Sequence, residues 1–366
     1  MSVFFVTLFL GIVLELLDLH YLFVTSLFLI SVFQYFIKSP PLLLFLAAIP
    51  QAIRMSSHVA TSVDVSGFSR IISSNESLSY YYETFQIGTA WLFGILRFFD
   101  LGYILGSVVI VLVLSLFCIL CMVLGYGLWE NFILLTCIDS IFAVHIFRQI
   151  VPSIILLIGI FAFYRWSEFS LNEYGVKILN LKVSKVLLCM LPLFLYAFFS
   201  HTYILFSTAI ILLVLILPRS FASFSFLIAF SLYLLGPFSD PRLYTNFLVY
   251  AQSLGFGQVS MSIMMLDESS SALTPLCLFS YFVMALLIIL KHSFPSTFSF
   301  SSKLFVGNAA LTLPLIGVPM IGLRFGAISA TILTGIPFLI LRDFLQTRLK
   351  RLLKKPAGRE RMEQRH

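Results

Sequence analysis

Apolar runs broken by short polar steps recur along this chain at about 3–17, 21–37, 42–53, 104–125, 131–145, 147–164, 186–199, 202–217, 221–235, 275–290, 304–321 and 325–341. Several approach the ~20 residues that cross a bilayer as helix. The short alternating segments of a β-barrel are missing. The pattern predicts an all-α integral membrane protein with about twelve transmembrane helices. Asp18-Leu19-His20 splits the first two runs, and Lys38-Ser39-Pro40-Pro41 reads as a turn, because proline disfavours helix at the residue before it.

Two long segments have a different composition. Residues 54–103 and 236–274 are polar and carry much of the Ser, Asn and Tyr between the runs. Irregular backbone cannot lie in lipid, so both are expected in water or in a protein-lined cavity. Within the first, 85–99 turns apolar again and reads as an interfacial or re-entrant helix. Residues 1–341 are then one multi-span domain and 342–366 a basic tail. The N-terminus is apolar from Val3 with no basic stretch before it, so it reads as a retained first span and not as a removed signal peptide.

Composition agrees. Of 366 residues 60% are hydrophobic and 11% charged, and mean hydropathy is +1.03. A soluble domain cannot hide that much apolar surface. Net charge is +7, but 342–366 holds nine Lys/Arg against three Asp/Glu, which is +6 and leaves +1 for the rest. That excludes nucleic acid as the meaning of the charge and makes the tail an anchor beside anionic lipid. With the tail inside the cell, counting spans backwards puts all nine lysines inside and both termini in the cytoplasm. The outer side receives Arg54, Arg70, Arg97, Arg148, Arg242 and Arg324, with His201 and both long polar segments, and none of these cations is lysine.

That asymmetry carries chemistry. A guanidinium stays charged when partly desolvated and matches phosphate oxygens two at a time. Arginines at an outer mouth suit a phosphate or pyrophosphate head group; they also suit snorkelling, or pairing with Asp64, Glu76, Glu83 or Asp240. The spans 147–164 and 186–199 return the chain to its starting side, which should bring Arg148 near Ser200-His201-Thr202. Glycosyl transfer from a pyrophosphate donor needs the leaving charge stabilised and the acceptor hydroxyl deprotonated. The six histidines are dispersed, no DxD or H-x-x-x-H occurs, and Cys118-Ile119-Leu120-Cys121 has no second ligand pair. No metal or cofactor is therefore expected. His201, Asp64 and Glu83 are the candidate bases.

Three stretches carry a resemblance. The first is Arg54 closing a run, then Val63-Asp64, Phe68 and the segment from Phe85 to Leu96, FQIGTAWLFGIL. The second is Phe147-Arg148-Gln149 with Ser200-His201-Thr202, and the third is Arg242-Leu243-Tyr244 through Tyr250, with Arg324 opening the last run. In order and spacing the chain resembles the EpsG/Wzy-like family of O-antigen and exopolysaccharide polymerases. It departs from that pattern where Gln86-Ile87-Gly88 stands for Glu-Pro-Gly and where Asp64 lacks its Thr and Tyr neighbours.

The resemblance implies a GT-C-like, metal-independent inverting transferase in the bacterial cytoplasmic membrane. It would pass a growing glycan from undecaprenyl pyrophosphate to a lipid-linked repeat unit on the outer side. A chain-length regulator and a flippase of the same pathway are its expected partners. Arg148, Arg324 and Arg54, with Gln149 and Arg242, would hold the substrate; Tyr82, Tyr244 and Tyr250 would stack on sugars, or else belong to an interfacial aromatic belt. His201 or an acid would meet the acceptor hydroxyl. Two other readings stay open, a ligase using similar arginines and a flippase. A flippase should carry ionisable residues deep in several spans, and only Asp139 and Glu15 fit that description.

Overall fold

A computed structural model describes residues 1–59, 61–74, 77–79, 86–173, 195, 199, 208–211, 213, 214, 216–235, 274–290, 296–315 and 327–353, with the side chains at 63, 64, 142, 163–173, 296, 297, 315 and 351–353 excepted. Among these residues every regular element is helical, as the sequence predicts. In chain order the helices are α1 Ser2–Leu16, α2 His20–Val32, α3 Pro41–Ala47, α4 Ile49–Val59, α5 Val63–Ser73 and α6 Ile87–Phe98. Then come α7 Leu105–Leu124, α8 Leu128–Thr136, α9 Ser140–His145 and α10 Phe147–Glu173, followed by α11 Arg219–Leu234, α12 Pro275–Ile289, α13 Ser296–Thr312, a π-helix Ile328–Ile332 and α14 Ile336–Leu353.

The core is α8 and its surroundings. Every residue from Tyr126 to Ser140 is buried, so this stretch is packed on all sides, its polar members Glu130, Asn131, Thr136, Asp139 and Ser140 included. Phe4, Phe23 and Trp129 gather on Phe132 at centroid distances of 5.6, 5.9 and 6.5 Å. On the periphery the apolar residues face outward. Phe279, Phe282, Leu286 and Ile289 form one exposed stripe of α12 at helical spacing, and Phe221, Phe224 and Ile228 do the same on α11. A helix in water would place charges on such a face.

Several expected spans are interrupted. The run 42–53 bends by 41° between α3 and α4. The run 131–145 breaks at Cys137–Asp139 into α8 and α9, and the last run breaks between the π-helix and α14. The two latter breaks meet: the Asp139 N–H donates to the Thr331 carbonyl at 3.4 Å. Around them Asn308 Oδ1 accepts from Ser329 N and Oγ at 3.0 and 2.8 Å, Tyr281 and Ser329 share a hydrogen bond of 2.9 Å, and Ser280 Oγ donates to Thr334 O at 2.8 Å. Among the described residues one helix, Gly102–Leu124, is by length and composition long and apolar enough to cross a membrane, and the bent α3–α4 pair would make two. The other apolar helices among the described residues have 10–17 residues.

Within the segment 54–103, the apolar part read as an interfacial or re-entrant helix over 85–99 forms α6, and the end of α4 and α5 are helical as well. Polar bonds hold the segment together internally: Ser69 Oγ donates to Gly102 O at 2.6 Å, and Arg97 donates to Ile71 O and Ile72 O at 2.8 and 3.3 Å.

Candidate functional site

Arg148 sits in the first turn of α10. Its guanidinium carbon lies 4.2 Å from the ring centroid of Phe68 on α5. Phe68 is itself gripped by Phe93 of α6 at 4.9 Å and by Phe147 at 6.1 Å. The face of the ring attracts the guanidinium, a group whose planar fork matches phosphate oxygens. Nη1 lies 3.5 Å from Oε1 of Gln86, the buried residue that caps the start of α6. Gln86 is a neutral acceptor here, where a glutamate would add a carboxylate. Four residues on, Pro152 lies inside α10 and has no N–H to give the Arg148 carbonyl. Beside Arg148, Gln149 is buried, and neither end of its amide has a hydrogen-bond partner among the described residues.

A second cluster forms at the α1–α2 turn. Asp18 takes a positive φ of 55°, a backbone state that Asp tolerates better than most residues, and the chain doubles back at once. Glu15 of the last turn of α1 therefore meets His20, the first residue of α2, with Nδ1 to Oε1 at 2.6 Å. Arg54 of α4 reaches both carboxylates of the turn, Nη1 to Glu15 Oε2 at 3.8 Å and to Asp18 Oδ1 at 3.4 Å. The depth gradient is steep, with the Glu15 side chain 1% exposed and that of Asp18 91%.

The two clusters belong to one end of the bundle. Helix α9 packs on α4 and α5 and leads directly into α10. Gln51 Nε2 donates to Ile138 O at 2.8 Å, and Ser62 Oγ to Val144 O at 3.5 Å. His58 on α4 lies in electrostatic range of Arg54, His145, Asp18 and His20. Asp139, at the break before α9, accepts a hydrogen bond from Thr274, the residue that caps α12. Thr274 is also where the long polar segment 236–274 rejoins the bundle.

The predicted site residues divide as follows. Arg54, Arg148 and Gln149 stand at this end, and Arg54 has two carboxylate neighbours. Asp64 lies on α5, but its side chain is outside the described residues. His201, Glu83, Arg324, Arg242, Tyr244, Tyr250 and Tyr82 also lie outside the described residues, as does the expected meeting of Arg148 with Ser200-His201-Thr202. Sequence reading missed the Glu15–His20 pair and the role of Phe68 as the platform under Arg148. The available signal for the pair was two ionisable residues flanking an Asp-Leu turn between apolar runs.

The opposite end is polar for another reason. Arg342, where the basic tail was expected to begin, is buried within α14 and forms an ion pair with Glu130 of α8. It also donates to Ser31 O at 2.9 Å and to Gln34 O at 3.2 Å. Nearby, Arg219 donates to Ser299 and Ser302 at 3.2 and 3.1 Å, and Tyr126 shares a hydrogen bond of 2.8 Å with Ser301. Lys38 follows Ile37, whose carbonyl accepts from Leu128 N at 2.8 Å. Among the described residues, Lys38, Arg219 and Arg342, which the charge rule assigns to the inside, lie at this end, away from Arg148.

Compared with protein-family models, with curated proteins and with solved structures, the chain matches none.

Proposed function

We propose that this chain is a membrane-embedded glycan polymerase. It takes a growing glycan from undecaprenyl pyrophosphate and places it on a lipid-linked repeat unit outside the cytoplasmic membrane, without a metal. The observation that carries the reading is the convergence of Phe68, Gln86 and Arg148. Phe68 and Gln86 belong to the first of the stretches on which the polymerase resemblance rests and Arg148 to the second, and the three meet around one guanidinium. A fixed cation of this kind suits the charge that develops on a departing pyrophosphate. In this reading Arg148 and Gln149 hold the pyrophosphate, with Arg324 as a second cation. Arg54 secures the first hairpin through its carboxylate neighbours.

The exposed apolar stripes of α11 and α12 support a lipid environment. A GT-C-like arrangement of about twelve spans, with the Arg148 end outside, is part of the proposal. The test is the surface polysaccharide of a deletion strain complemented with Arg148→Lys. The reading expects a ladder collapsed to a single repeat at wild-type protein level, and a full ladder overturns it. A ligase would leave polymer unattached instead.

One observation favours a second reading, that of a lipid-linked sugar transporter. Two interrupted helices meet at Asp139 and Thr331 amid buried Asn308, Ser329 and Ser280, and discontinuous helices surround the substrate site in many transporters. Purified protein in vesicles separates the two, since only a polymerase lengthens the lipid-linked chain.

A further inference from the structure

We infer that His20, held by Glu15, is the general base of chain extension, an inference that rests on the glycosyl-transfer reading above. The imidazole is 4% exposed, and its Nδ1 is committed to Glu15 Oε1 at 2.6 Å. With Nδ1–H donating to the carboxylate, Nε2 is left as the basic nitrogen. Nε2 makes no hydrogen bond among the described residues. His20 lines a cavity of about 20 Å³ between Arg54, Asp139 and Thr274, room for one water-sized group. A sugar hydroxyl is such a group. Tyr21, half-exposed on the same cavity, marks the side from which the rest of an acceptor would approach.

The nearby carboxylates are less suited. Asp18 is on the surface beside Arg54, and Asp139 accepts from Thr274. Glu15 is fixed between the imidazole and the Arg54 guanidinium, so its role is to position His20. In the step itself, the acceptor hydroxyl gives its proton to His20 Nε2 as its oxygen bonds to the anomeric carbon. The bond from that carbon to the pyrophosphate oxygen breaks, and its electron pair leaves with the pyrophosphate.

Full-length protein in proteoliposomes, supplied with lipid-linked repeat units, is assayed from about pH 5 to 9, a range that brackets imidazole titration. The groups facing His20 are Glu15, Asp18, Tyr21, Arg54, His58 and Asp139, so His58→Gln serves as the histidine control. His20→Gln is expected to lower kcat about 100-fold or more, leave KM within about threefold, and abolish the acidic limb that the wild type and His58→Gln share. Glu15→Gln lowers kcat less and displaces that limb. It decides the question if His20→Gln fails to fold in detergent, because a purely structural pair would change unfolding temperature and leave the pH profile alone. Wild-type turnover and profile in His20→Gln overturn the base assignment while leaving the polymerase reading intact. A wild-type protein that lengthens no chain overturns both.

Discussion

Arg148 lies over the ring of Phe68, its guanidinium carbon 4.2 Å from the centroid, although Arg148 opens an apolar run and Phe68 lies on another helix in the polar segment 54–103. Phe68 fixes the plane of the group, so the pair predicts a separation of charge from orientation. Phe68→Leu keeps the positive charge and the apolar volume but loses the stacking, worth about 1–2 kcal/mol in a desolvated setting. Donor affinity, measured by titration with a lipid-linked pyrophosphate, should fall about 10-fold in Phe68→Leu. Arg148→Lys, which loses the planar fork, should fall further. Equal affinity in all three proteins would remove Arg148 from the donor site.

Gln86 gives a prediction of opposite character. Placing a carboxylate 3.5 Å from Arg148 Nη1 would pair the guanidinium internally. Gln86→Glu should therefore weaken donor binding at neutral pH although the substitution is nearly isosteric. Expression and unfolding temperature should stay close to wild type.

The placement of cations at two ends can be tested by labelling. Asp18 and Lys38 are both exposed, and the four described cysteines are buried. In a Cys189→Ser background, Asp18→Cys should react with an impermeant maleimide on intact spheroplasts, and Lys38→Cys only after permeabilisation. The reverse result would invert the orientation and put Arg148 in the cytosol.

Glu130 and Arg342 stabilise the far end by closing a buried ion pair. Glu130→Gln leaves the buried guanidinium without its counter-charge and should cost about 3–5 kcal/mol. The double variant Glu130→Met, Arg342→Met should recover much of that loss. Thermal unfolding in detergent reads both, and an unchanged Glu130→Gln would show that the pair is solvated.

Gly125 closes α7 with a φ of 68°, a conformation that carries a steric penalty for residues with a Cβ. Gly125→Ala should lower stability by about 1–2 kcal/mol. Because the residue is at the end away from Arg148, donor affinity should not change.

Helical class and the apolar runs among the described residues are legible in the sequence because they follow from hydropathy alone. Contacts across turns and between distant runs are not. Glu15 reads as an ionisable residue inside a span; only the positive φ of Asp18 turns it onto His20. Asp139 reads the same way, yet it occupies a helix break that apolarity conceals, since Cys137 and Ile138 beside it are as hydrophobic as a continuing helix. Arg342 is counted with the tail, because composition cannot distinguish a guanidinium buried against Glu130 from one in water. Phe68 was visible within a motif, but its use as a platform depends on α5 folding back onto α10.

The facing breaks at Asp139 and Thr331 have a mechanical meaning. Where two adjacent rods both lose their i→i−4 ladder at one depth, resistance to bending is lowest in that layer. Strain applied at either extremity of the bundle will concentrate there. Asp139 belongs both to this layer and to the wall of the His20 cavity, where it accepts from Thr274.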